Sequence, residues 1–230
     1  MKILSNYHNL QVLFEDNHLI IINKRPGDIV QGDKTKDTPL IEIVKKYLKI
    51  KYDKPGNVYL GVIHRIDRPT SGVVVFAKTS KALSRMNLML KDHAIQKTYW
   101  AITQNKPENE ADKLTHWLRK NERNNKSTHF SKETKNAKKA ILTYKVLKEL
   151  DNYFLLEVLM KSGRHHQIRC QLQAIGCPIK GDIKYGSKRT NKDGSIDLHA
   201  LNVKFIHPIS KKQIDITAPL RDQKIWQNSV

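Results

Sequence analysis

A chain of 230 residues that is 39% hydrophobic can bury a real core, and its 42 Lys plus Arg against 22 Asp plus Glu leave a net charge of +20 at neutral pH. Such an excess points to a polyanion as partner, nucleic acid first. No stretch approaches the roughly 18 consecutive apolar residues of a membrane span, and the opening MKILSNYHNL lacks the apolar core of a signal peptide, so a cytoplasmic protein is expected.

In chain order, Val12–Phe14 and Leu19–Ile22 read as two short strands joined by the polar turn Glu15–His18, a hairpin. Thr38 and Pro39 open a helix whose Leu40, Ile41, Ile43, Val44 and Leu48 recur near the helical period. The run GVIHRIDRPTSGVVVFAK, positions 61 to 78, follows. In it Pro69, Thr70, Ser71 and Gly72 are turn formers, and Val73–Ala77 has the length and β-branched content of a buried strand. Asp67 is thereby placed at the mouth of a sheet with Arg65 and Arg68 beside it. A carboxylate next to guanidinium groups is suited to act as nucleophile or base, while a turn aspartate can equally cap a backbone amide.

Thr79 or Ser80 caps a second helix lined by Ala82, Leu83, Met86 and Leu90, and a strand is expected over Thr98–Thr103. Residues 105–137 are polar, with Leu114, Trp117, Leu118 and Phe130 as their few apolar anchors, and read as mobile loop with short strands. Ala140–Leu147 and Phe154–Met160 pair around Asp151 and Asn152. From Arg164 to Ile175 the stripe Ile168, Leu172, Ile175 predicts a helix that Gly176 ends, with Arg169 about 100° from Ile168 at the rim of the packed face. Further strands are expected over Leu198–Phe205 and Ile214–Ile216.

Cys170 and Cys177, with no second pair to complete a zinc site, read as reduced and structural. Adjacent His165 and His166 point about 100° apart on a helix and have no carboxylate or thiol at ligand spacing, so no metal site is expected. Lysine groups such as Lys45, Lys46, Lys49 and Lys135, Lys138, Lys139 form a diffuse phosphate field.

Taken together, these segments resemble the RluA-type pseudouridine synthases. VLFEDNHLIIINK (12–24) is similar to that family's entry hairpin, HRIDRPTSG to its signature around the catalytic aspartate, and QKTYWAIT (96–103) to the segment carrying the active-site tyrosine. SGRHHQIRCQL (162–172), CPIKGDIKYG (177–186), LHALNVKFIHP (198–208) and APL (218–220) follow in the family's order. A lone HRxD would be weak, since a related triplet occurs in protein kinases, but no glycine-rich phosphate loop accompanies it here. Ile66, Arg25, His165 and Gln171 depart from the usual pattern.

The resemblance implies an α+β pseudouridine synthase core, a curved, mainly antiparallel mixed sheet with a central cleft and flanking helices. It also implies one catalytic domain over 1–230 with no S4-like RNA-binding domain ahead of the hairpin. The implied activity is site-specific isomerisation of uridine to pseudouridine in ribosomal or transfer RNA by a monomeric enzyme. Asp67 would perform the covalent or proton-abstracting step, Arg169 would stand against it, Tyr99 would stack beside the uracil, and Arg65 would fill the gap left when the base is flipped out. No metal or other cofactor is expected. A catalytically silent RNA-binding or ribosome-assembly factor on the same fold is the alternative, and a nuclease or glycosylase a further one.

Overall fold

The computed structural model describes Lys2 and residues 4–227. Two compact units divide the chain, one formed by residues up to 96 with 200–220, the other by 97–199 with the segment from 221 onward.

In the first unit β1 (Val12–Glu15) pairs antiparallel with β2 (Leu19–Lys24), which pairs antiparallel with β4 (Ser71–Ala77), while the short β3 (Gly61–Val62) also lies along β4. β2 and β4 are buried from end to end. That is why they read as continuous apolar runs and do not alternate. Leu19, Ile21, Val73 and Val75 form one core with Ala82 and Met86 of α2 (Ser80–Lys91), whose cap is the Thr79 hydroxyl accepting the Ala82 N–H. α1 (Leu40–Lys51) begins after Pro39 and buries Leu40, Ile43, Val44 and Leu48, the residues whose spacing predicted it. β10 (Leu198–Ile206) and β11 (Gln213–Thr217) pair antiparallel and add Val203, Phe205 and Ile214 to the same core.

The second unit is an antiparallel sheet in the order β5 (Gln96–Thr103), β9 (Tyr153–Met160), β8 (Lys138–Leu150), β6 (Ala111–Asn121) and β7 (Lys126–Phe130). α3 (Gln167–Ala174) packs on one face, with Cys170 against Leu118, Ala140 and Tyr185. Both cysteines are buried and reduced, and burial pushes each thiol up to about 11. A 3-10 turn over Ile183–Tyr185 and the short α4 (Lys224–Gln227) complete the unit.

The architecture is α+β, as expected. Two expectations need correction. The stretch read as mobile loop with short strands holds the 11-residue strand β6 and its partner β7, so the strands are longer and the loop shorter than expected. Only Leu114 and Leu118 of β6 are buried, since just one of its faces is packed, so its period-2 pattern is too faint to register in sequence. The helix predicted from Arg164 starts at Gln167, because His166 lies in the left-handed region at φ 51° and cannot continue a helix backward.

Candidate active site

The four residues singled out from sequence divide between the units, Arg65 and Asp67 in the first, Tyr99 and Arg169 in the second. From β3 the chain passes through residues 63–67, burying Ile63 and Ile66, and turns where the Thr70 N–H donates to the Asp67 carbonyl at 3.0 Å. Asp67 is half-buried and Arg65 exposed. His64 secures the approach, its Nε2 accepting the Val75 N–H at 3.2 Å. Gly72 closes the turn at φ 111°, and a Cβ there would overlap the Ala200 carbonyl, so glycine is required by backbone conformation and by space.

What holds the turn is a residue that sequence reading missed. Lys24 ends β2 and is 1% exposed; its Nζ donates to the carbonyls of Arg25 at 2.9 Å, Asp28 at 2.8 Å and Arg68 at 3.1 Å. The Arg68 carbonyl also accepts the Gly27 N–H at 2.9 Å. One ammonium thus joins the loop after β2 to the turn beside Asp67, each of its three protons matched by an oxygen. Burial pulls Lys24 down to about 7, against the pull of the Asp28 and Asp67 carboxylates, which favour its charged form. Nothing local marks this lysine, because a cation after an apolar run ordinarily signals a strand leaving the core. The Arg68 guanidinium, read from sequence as a neighbour of the Asp67 carboxylate, forms an ion pair with Asp37 at 2.7 Å.

Arg169 was expected at the rim of α3. It is 5% exposed, with Nε donating to Asp182 Oδ2 at 2.6 Å and Nη2 to Oδ1 at 2.8 Å. Such a two-pronged, charge-assisted pair fixes the plane of the guanidinium as well as its position. The same guanidinium lies 5.0 Å from the centre of the Tyr185 ring. Tyr185 is itself anchored, its hydroxyl accepting the Ser127 N–H at 2.7 Å and bonding His166 Nδ1 at 3.0 Å, and burial pushes that hydroxyl up to about 12. The loop carrying Asp182 is shaped by Gly181 at φ 87°, where a Cβ would come within 2.6 Å of the Ser195 carbonyl. Asp182 and Tyr185 belong to the segment CPIKGDIKYG, but their bond to Arg169 spans a reversal of the chain that no helical or strand period encodes. Tyr99 is 7% exposed on β5, across from Val158 of β9.

An acid on a locked turn and a guanidinium held edge-on by a buried carboxylate are both arrangements that keep charge at a chosen place, as acid–base or covalent chemistry requires. Residues 18–174, which include the Asp67 turn, β5 and α3, match the family model described as RNA pseudouridylate synthase. Ribosomal large subunit pseudouridine synthase C of Vibrio cholerae serotype O1 is 32% identical over 91% of this chain, and this chain spans 65% of that protein's length. The D enzyme of Zymomonas mobilis is 31% identical over 92% of this chain and the C enzyme of Rickettsia felis 35% over 95%, each with 69% of its own length matched. Among solved structures, Human RNA Pseudouridylate Synthase Domain Containing 4 shares the fold with a TM-score of 0.78 at 22% identity, covering 95% of this chain and 91% of that one. Motif order, family model and relatives agree, and the chain belongs to the RNA pseudouridylate synthase family.

Proposed function

We propose that this protein isomerises uridine to pseudouridine in RNA, with ribosomal RNA as the first substrate to test and transfer RNA as the second. The single observation that carries the reading is the Asp67 turn, a half-buried acid held by backbone bonds and a buried lysine inside the segment that matches the family. The reaction breaks the bond from the sugar to a ring nitrogen, rotates the uracil and rejoins it through carbon. Atoms and electrons balance within the nucleoside, so the chemistry calls for neither metal nor coenzyme. Asp67 is the reacting group, as nucleophile or base. Arg169 and Tyr99 bind the substrate, the first as a fixed cation and the second by stacking on the uracil. Arg65, exposed two residues before the acid, takes the place of the flipped base, since a planar guanidinium stacks on neighbouring bases and bonds to their edges. The same reading takes the enzyme as a cytoplasmic monomer with one catalytic domain.

The test compares wild type with Asp67→Ala on ribosomal and transfer RNA lacking the modification, mapping pseudouridine by carbodiimide-induced stops. New stops with wild type and background with Asp67→Ala are expected. Equal stops with both proteins would remove Asp67 from the mechanism. No stops with wild type on either class would remove the proposed substrates.

A further inference from the structure

The sheet of the second unit has an outer face that carries none of the residues assigned above to the uridine pocket. Along β6 the residues facing α3 are Leu114, His116 and Leu118, with the Gln171 amide of α3 donating to the Leu114 and Ala140 carbonyls. The alternate residues, Lys113, Thr115, Trp117 and Arg119, lie on the opposite face. Register extends this face across three strands: Trp117 stands directly between Phe130 of β7 and Lys139 of β8, Arg119 faces Thr128, Thr115 faces Ile141, and Ala111 faces Lys145.

Two large rings therefore sit side by side on the face that the core leaves alone. Trp117 and Phe130 are half-buried, whereas Arg119, Lys139, Lys113 and Lys145 are exposed. Each ring is flanked by a cation, the Lys139 ammonium 5.6 Å from the Trp117 ring centre and the Arg119 guanidinium 4.9 Å from that of Phe130. No Asp or Glu occupies this face on β6, β7 or β8 within their paired positions, while Glu157 of β9 stands opposite Lys145 at its edge.

Aromatic rings on a sheet face where cations outnumber carboxylates have the composition of a surface that stacks bases and neutralises phosphates. A second copy of the chain is a poorer occupant. A two-fold contact would set this group of cations against itself. We propose that the outer face of β6, β7 and β8 binds single-stranded RNA, with Trp117 and Phe130 stacking on bases and Lys113, Arg119, Lys139 and Lys145 taking phosphates. The inference rests on the RNA reading above and adds a contact surface on the side of this sheet opposite the one α3 covers.

The probe is a short fluorescein-labelled oligocytidylate, which has no uridine to isomerise, and binding is followed by anisotropy at several salt concentrations. Trp117→Leu should weaken binding about tenfold, within the range for loss of one stacked base, and Trp117→Tyr should restore most of it. Lys139→Ala should lower the slope of log affinity against log salt by about 0.7. Circular dichroism and thermal unfolding establish that each variant is folded. A folded Trp117→Leu protein with wild-type affinity would overturn the proposal, as would a wild-type dimer in sedimentation that Trp117→Leu dissolves without any change in RNA binding. No residue assigned to the uridine pocket is altered in the Trp117 and Lys139 variants, so a null result there leaves the Asp67 reading intact, and failure of the Asp67 reading leaves this surface to stand or fall on its own affinity data.

Discussion

Lys24 and Arg169 are both buried cations, 1% and 5% exposed, and they are held by different means. Lys24 has no carboxylate at hydrogen-bond distance in its three bonds. It gathers carbonyls from Arg25, Asp28 and Arg68, and the only carboxylates that favour its charge, Asp28 and Asp67, act on it as longer-range fields. Arg169 is gripped directly by the Asp182 carboxylate through two N–H groups. A compact ammonium with rotatable donors suits joining separate stretches of backbone, whereas a planar fork suits fixing one orientation. The protonation of the lysine is therefore negotiable near neutrality and that of the arginine is not.

The comparison breaks most sharply at Asp182. Asp182→Ala removes the buried carboxylate that grips the Arg169 guanidinium through two N–H groups, and the expected loss is about 3–5 kcal/mol of stability, read from the denaturant midpoint. An unchanged midpoint would mean that the pair contributes orientation alone. Lys24→Met keeps the length of the side chain and removes the ammonium, which strands three carbonyls; a loss of about 1–3 kcal/mol at pH 7 is expected.

Measured against pH, the same variant sharpens the contrast. The folded value of Lys24, about 7, lies below its ordinary 10.5, so between those values the unfolded chain binds more protons. Stability from this group should rise as pH climbs from 7 toward 10.5 in wild type, and Lys24→Met should lack that part of the rise. Parallel profiles would show that Lys24 stays protonated in the fold throughout. The smallest effect is expected from Tyr185→Phe, which keeps the ring under the Arg169 guanidinium and removes the acceptor of the Ser127 N–H, at about 1 kcal/mol in thermal unfolding.

Much of the framework was legible before any coordinates. The hairpin of β1 and β2, both long helices, the turn at Asp67 and strands β4, β5, β8 and β9 follow from apolar runs and punctuating residues, because burial on one or both faces writes its period into the chain. The order of motifs pointed to the family, and the family model agrees. The length and pairing of β6 and β7 were illegible for a physical reason. Their outer face exposes Lys, Arg and Thr beside Trp117 and Phe130, and their backbone hydrogen bonds come from each other and from β8, not from any local preference.

Local sequence therefore determined where strands, helices and the reactive turn would form, since each depends on neighbours a few positions away. Tertiary structure alone decided that Lys24 would lie under the Asp67 turn, that Asp182 would grip Arg169, and that Trp117 and Phe130 would stand together on an open face. A buried cation must find oxygen somewhere, but which oxygen is settled by the segments that the fold brings beside it, and that choice leaves no period in the sequence.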